Sequence, residues 1–592
     1  MNATRQPSPA IVSQEAARAL PLWALLALCA VYIVAGFVGR EPWKGADIIS
    51  YAAMLTLAQA QDWRLWLQPH TWGAGVDAFA LIPHWLGALA MRVLTPLGVD
   101  AQLAARLPFM AMLAGTLAAT RAAVRHLALE PGAQPVAFAF GGEARPDDYA
   151  RSLADGGLLA LIATLGLAQG AHEAAPALAQ LCCTALAFYA LAAQPNHDAR
   201  ALAVLALALA ALMLSGAPWL ALVYAVLALF GVPRRWSRRR RRRSQAALLT
   251  LLVALAVLMW RLGAWAQWQP PTWRTGADGW RSLLQLLLWF TWPVWPLALW
   301  TLWRWRRQLF AVRGQRYLGL PLALALPPLL GAVFTTPGVR FLLLTLPALA
   351  ALAALALPTF SRAAAALIDW FTVLFFTAWA IVIWVVWVAM MTGVPAKPAA
   401  NVARLAPDFV PQFQWLAFVV AVIGTLTWLA LARWRTGRHR KALWKSLALP
   451  AGGTALCWLL LMTLWLPALD YGRSYASQMQ QVVRAVEPAA CVQLHGLGDA
   501  QRAALRIYGG WPQFEGADAQ APRCPWMLVD ARQQRLLPYL LDMRVWRPAR
   551  FVQRPVGRDE RWLLLRRVPP QAAGAAVPFV LGGAAAPAFF SP

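Results

Sequence analysis

Residues 40–52 read REPWKGADIISYA, from Arg40 to Ala52. They follow directly on the apolar run Leu20 to Gly39, which is long enough to cross a bilayer. Ser8 to Arg18 is polar and carries no cleavable-signal pattern, so the run after it is expected to remain as an anchor. Asp47 then stands at the head of the segment 46–61, ADIISYAAMLTLAQAQ, which reads as an interfacial amphipathic helix. An acid in a first helical turn is a natural cap, favoured by the helix dipole. A carboxylate held at a membrane boundary can also act as a general base or bind a cation. The stretch leaves both readings open.

Working outward, the same pattern of apolar run and polar loop recurs along all 592 residues. The chain is 60% hydrophobic and only 13% charged. Its mean hydropathy is +0.52. Repeated runs near 20 residues long define an all-α polytopic membrane bundle, and the pattern divides into about thirteen spans. The net charge of +28 would suggest nucleic acid in a soluble protein. Here the cations cluster between apolar runs, above all at Arg238 to Arg243. That is the signature of cytoplasmic loops lying against anionic membrane lipid, and no nucleic-acid partner is expected. Basic loops near 127–156, 233–245, 304–316 and 433–445 fall inside, while 40–102, 267–282, 335–338 and 392–413 fall outside. The segment 79–98 is apolar enough to span, but counting it would put the arginine run outside. It is therefore read as a second interfacial helix. This parity places the N-terminus in the cytoplasm and residues 470–592 on the outer side of the membrane.

Beyond 469 the character changes. Short apolar runs, CVQLHG and PWMLVD, alternate with the helical patterns DAQRAALRIYGG and ARQQRLLPYLL. The expectation is a transmembrane domain over 1–469 and a small α/β domain over 470–592. Cys491 and Cys524 fall in this part and are candidates for a disulfide if it faces an oxidising compartment. The other four cysteines lie in apolar runs, and no metal-type cysteine spacing occurs.

Ionisable groups on the outer loops are few. Asp77 and His84 flank the start of the second interfacial helix, and His172 and Glu173 open an apolar run. Arg274 lies in the tryptophan-rich WRTGADGW. Arg340 enters an apolar run in TTPGVRFLLLTLPALA, where an unpaired cation is costly and a phosphate would suit it. All map to one face of the membrane, so they can converge on one cavity.

This arrangement resembles the GT-C glycosyltransferases that use polyprenyl-phosphate sugars, in the branch of aminoarabinose transferase and protein O-mannosyltransferases. The resemblance rests on ADIISY with Asp47 and Tyr51, on QDW at 61–63, and on HWL at 84–86. It extends to ARLP at 105–108 and to the arginine-led RFLLLTLPALAAL from Arg340. It covers about 1–360, with Ile48 where the family's second acid stands. It implies an outward-facing cavity where a polyprenyl-phosphate-linked sugar passes to a lipid, glycan or protein acceptor. Asp47 and Glu173 would carry catalysis. Arg340 would hold the donor phosphate, with Tyr51, Asp77, His84, His172 and Arg274 lining the substrate. A divalent metal stays open, because the 267–282 loop has no histidine to offer one. The competing reading is a non-enzymatic carrier or transporter of lipid-linked glycans. A transporter is expected to show broken spans in matching positions, and the sequence shows no such pair.

Overall fold

The computed structural model describes residues 8–69, 79–195, 198–231, 237–263, 276–309, 315–335, 338–436, 442–487, 490–515, 524–542, 545–554, 556 and 560–568. Two compact units divide the chain, Met1–Ser474 and Tyr475–Pro592.

The first unit is helical. It opens with α1 (Leu22–Val34), α2 (Ala46–Gln59), α3 (Leu81–Leu94) and the long α4 (Ala101–Ala128). There follow α5 (Pro146–Ala163), α6 (Leu165–Gly170), α7 (Pro176–Ala193), α8 (Asp198–Met213), α9 (Pro218–Phe230) and α10 (Arg238–Arg261). Next come α11 (Gly276–Phe290), α12 (Val294–Arg304), α13 (Arg306–Leu309), α14 (Arg316–Phe334) and α15 (Val339–Ala356). The unit closes with α16 (Arg362–Thr392), α17 (Ala396–Leu405), α18 (Trp415–Thr436), α19 (Lys445–Leu464) and α20 (Leu466–Arg473).

Among the described residues, eight helices are long and apolar enough to cross a membrane, or nine if α11 and α12 form one span. That pair is bent by 84°, so the apolar run at 283–303 is divided between two helices. The break falls at Thr291–Pro293, where proline cannot supply the N–H that would continue the ladder. Three shorter apolar helices, α1, α8 and α9, accompany them. The segments 46–61 and 79–98 fold as the helices α2 and α3, each 14 residues long.

Alanine decides which helices sit in the middle. In α15, LLLTLPALAALAALA, small side chains let neighbouring backbones approach, and 83% of its apolar window is buried. In α18 only 11% is buried; its outward leucines, valines and tryptophans suit lipid. Gly453 of α19 lies against the ring of Phe376 on α16. A Cβ there would meet ring carbon at 2.3 Å, so only glycine permits the crossing.

The second unit is a five-stranded mixed sheet in the order β2-β1-β3-β5-β4. Its strands are β1 (Val492–His495), β2 (Gln513–Glu515), β3 (Trp526–Asp530), β4 (Trp546–Gln553) and β5 (Arg561–Arg567). It also carries α21 (Ala476–Val483), α22 (Asp499–Tyr508) and α23 (Leu537–Leu540). Strand β1 is parallel to both β2 and β3, and α22 makes the crossover from β1 to β2. Strands β3, β5 and β4 pair antiparallel, with Val529 opposite Leu563. All five residues of β3 are buried, as a central strand's continuous apolar run requires. The α/β expectation for this region therefore holds. Cys491 and Cys524 are disulfide-bonded just ahead of β1 and β3.

Candidate functional site

The quoted stretch forms the centre of a charged cluster at one end of the bundle. After α1, Gly36 takes φ +100, a left-handed conformation that L side chains avoid. The indole of Trp458 also occupies the space a Cβ would need there, at 2.7 Å, and its Nε1–H donates to Ala35 O at 2.6 Å. The chain then turns Arg40 inward until its side chain is fully buried, and α2 begins after Gly45 at φ +105.

Asp47 receives three donors. Arg40 Nη2 donates to Oδ2 at 2.9 Å and the backbone N–H of Trp43 to the same oxygen at 3.0 Å. The backbone N–H of Ala174 donates to Oδ1 at 2.9 Å. With 2% of its surface exposed, Asp47 is held rather than presented. Arg40 Nη2 donates also to His172 O at 2.9 Å, while its Nε and Nη1 have no hydrogen-bond partner among the described residues. Arg106, the arginine of the ARLP motif on α4, donates through Nη1 to the carbonyls of Phe37 and Arg40. It thereby satisfies backbone acceptors that no helix or sheet reaches.

Two further groups come from beyond the last long helix. Asp470 on α20 accepts Trp43 Nε1–H at 2.7 Å and Glu41 N–H at 3.3 Å. The guanidinium of Arg473 lies 4.7 Å from the centroid of the Trp43 ring, and that of Arg40 lies at 4.4 Å. Trp43 is thus bracketed by two cations, the favourable placement over an aromatic face. Asp470 and Arg473 belong to the compact unit that ends at Ser474, although the composition change had assigned them to the C-terminal segment.

Glu173 sits half-buried between Asp47 and these arginines. Burial, then the charge of Asp47, push its carboxyl up to about 7, against the pull of Arg40, Arg473 and a hydrogen bond from Gln169. Burial also raises Asp470 to about 6, opposed by the hydrogen bonds from Trp43 and Glu41. A group titrating near neutrality beside a held carboxylate can take up a proton at working pH. Tyr51, one turn after Asp47, is buried and pushed up to about 12, chiefly by burial and then by the charge of Asp100.

The histidines are differently placed. His84 is 1% exposed and shares a hydrogen bond with Ala80 O through Nδ1. His172 has no exposed surface; its ring lies among Tyr32, Phe37 and Trp458, and Nε2 meets Tyr32 O at 2.8 Å. Burial drops both to about 4, leaving neutral rings packed inside the protein. Arg340 opens α15, donating to Gln180 Oε1 and to Gly216 O, each at 2.6 Å. Asp47 and Arg340 therefore engage the two sides of the start of α7, Asp47 at Ala174 just before the helix and Arg340 at Gln180 in its first turns. Asp77 and Arg274 lie outside the described residues. Among the described residues, no group of three or more His, Cys, Asp or Glu side chains is placed to hold a metal ion.

The multi-pass helical bundle with a first loop carrying two helices, and the small α/β unit that follows it in the chain, make a fold shared with solved structures. Similar solved structures include ArnT from Cupriavidus metallidurans bound to undecaprenyl phosphate, with a TM-score of 0.59 and 17% identity. That alignment covers 94% of this chain and 100% of that one. The same protein in its apo state aligns with a TM-score of 0.54 at 16% identity, over 92% and 98% of the two chains. No protein-family model and no curated sequence matches the chain. At such identities the likeness establishes the fold.

Proposed function

We propose that the chain is an integral membrane glycosyltransferase that moves a sugar from a polyprenyl-phosphate donor to a lipid, glycan or protein acceptor. One observation carries the reading. The chain shares its fold, end to end, with a protein that binds undecaprenyl phosphate. Its densest charged cluster lies at the head of α2, around Asp47.

In this reading Glu173 is the base. An acceptor hydroxyl attacks the anomeric carbon, its proton passes to the Glu173 carboxylate, and the bond from that carbon to the phosphate oxygen breaks. The electron pair leaves with the polyprenyl phosphate. Asp47, gripped by three donors, fixes the loop and supplies negative charge that keeps the neighbouring carboxyl basic. Arg340 meets the donor phosphate. Gln180 and Gly216 orient its guanidinium fork, and the N-terminal turn of α15 adds favourable dipole.

The sidedness belongs to the same proposal. The loops around Asp47 and the C-terminal unit face the periplasm, which the Cys491–Cys524 disulfide supports because such bonds persist in oxidising compartments.

The test uses the purified full chain in vesicles with undecaprenyl-phosphate-linked sugars and candidate acceptors. Release of undecaprenyl phosphate that depends on an acceptor supports transfer. Movement of intact donor across the bilayer with no release would make the chain a carrier instead. Failure to bind undecaprenyl phosphate would remove the donor class.

A further inference from the structure

The loop that leads into Asp47 is fastened by a helix far away in sequence. Trp43 has one carboxylate at each end: its indole Nε1–H donates to Asp470 Oδ1 at 2.7 Å, and its backbone N–H donates to Asp47 Oδ2 at 3.0 Å. The ring between them is buried and clasped by Arg40 and Arg473. Two more ties run in parallel, Glu41 N–H to Asp470 Oδ2 at 3.3 Å and Lys44 N–H to Arg473 O at 2.9 Å. Three residues of the loop, Glu41, Trp43 and Lys44, are thus tied to α20, eight residues long, whose last residue lies two positions before the second unit begins at Tyr475.

We infer that Asp470 is a positioning residue for Asp47, acting through Trp43, so that the short helix after the last span sets the geometry of the proposed active loop. The catalytic part of this inference rests on the proposed function; the mechanical part does not. Without the Asp470 acceptor, the indole N–H of the buried Trp43 and the part-buried N–H of Glu41 each lose a partner. The loop then samples conformations in which the N–H of Trp43 leaves Asp47, and the carboxylate swings away from Glu173.

The experiment compares wild type with Asp470→Asn, Trp43→Phe and the double variant, as purified full chain in detergent, by hydrogen–deuterium exchange. Asparagine preserves size but turns an amide donor toward a donor. Phenylalanine keeps the ring between the guanidinia and removes Nε1–H. Exchange in peptides spanning 40–50 is expected to rise about tenfold in either single variant, the equivalent of one hydrogen bond. The double variant should add little more, and peptides from α15 should stay as in wild type. Unchanged exchange at 40–50, or an equal rise throughout α15, would overturn the inference. With an undecaprenyl-phosphate-linked sugar as substrate, kcat in both single variants should fall while KM stays within about twofold; a fall confined to KM would also overturn it. If wild type turns over no such donor, the proposed function fails, and the exchange result still decides the latch.

Discussion

Replacing Arg40 by methionine is the sharpest test of the architecture around Asp47. Methionine fills similar volume beside Trp43 but removes the charge. Asp47 keeps the N–H donors of Trp43 and Ala174 and loses its only ion pair among the described residues, at 2% exposure. Breaking a buried pair by deleting one partner costs about 3–5 kcal/mol, because the remaining charge is stranded. The two surviving N–H bonds place this case near the lower end, and loss of the bond to His172 O adds about 1 kcal/mol. The expected total is about 4 kcal/mol. For a cooperative unit of this size, each kcal/mol moves Tm by about 1–2 °C, so thermal unfolding in detergent should show a drop of about 4–8 °C. The double variant Arg40→Met/Asp47→Asn carries no buried charge at the pair. It should cost less than the sum of the single variants by about 2 kcal/mol. A drop below about 1 °C for Arg40→Met, or strict additivity in the cycle, would refute the claim that Asp47 is a buried carboxylate held by Arg40.

Three further outcomes follow from the same geometry. Glu173 is raised from 4.5 to about 7 in the fold, so its contribution to stability is full below 4.5 and is lost as pH rises through 7. Wild type should therefore lose stability across that window more steeply than Glu173→Gln, and the sugar-transfer rate of wild type alone should show a rising limb with its midpoint near 7; matching profiles would exclude Glu173 as the base. Arg340→Lys cannot grip both Gln180 and Gly216 as a fork. Its affinity for undecaprenyl phosphate in nanodiscs should drop about tenfold, the worth of one charge-assisted hydrogen bond, and an unchanged Kd would separate Arg340 from the phosphate. Cys491→Ser/Cys524→Ser opens a loop of 33 residues, worth about 4 kcal/mol by chain entropy. The C-terminal unit should then become protease-sensitive while the bundle stays intact; equal resistance would show that the sheet does not depend on the bond.

The membrane class, the helices at 46–61 and 79–98 and the terminal α/β sheet were legible because each depends on local pattern: apolar run length, helical periodicity and short alternating strands. The partners of Asp47 were not legible, and the reason is separation along the chain. Trp43 and Asp470 are 427 residues apart. No periodicity links them, and the composition change after the last span falls just ahead of Asp470 and Arg473, whereas the compact unit runs on to Ser474. Arg106 was in plain view within ARLP, but an arginine near a span end reads equally as a cation reaching for water; only its bonds to Phe37 O and Arg40 O give it a task. The burial of the histidines was equally illegible. Residue type drew attention to His84 and His172, and burial settled their place as neutral rings packed inside the protein. Ile48 follows the same logic. It has no exposed surface, so an acid there would enter a packed apolar position. A second carboxylate beside Asp47 comes instead from Glu173, on another loop. The cluster is therefore a tertiary construction: α2 supplies the held acid, the α6–α7 loop supplies the titrating one, and α20, whose Asp470 lies 427 residues on from Trp43, is tied directly to the loop ahead of α2.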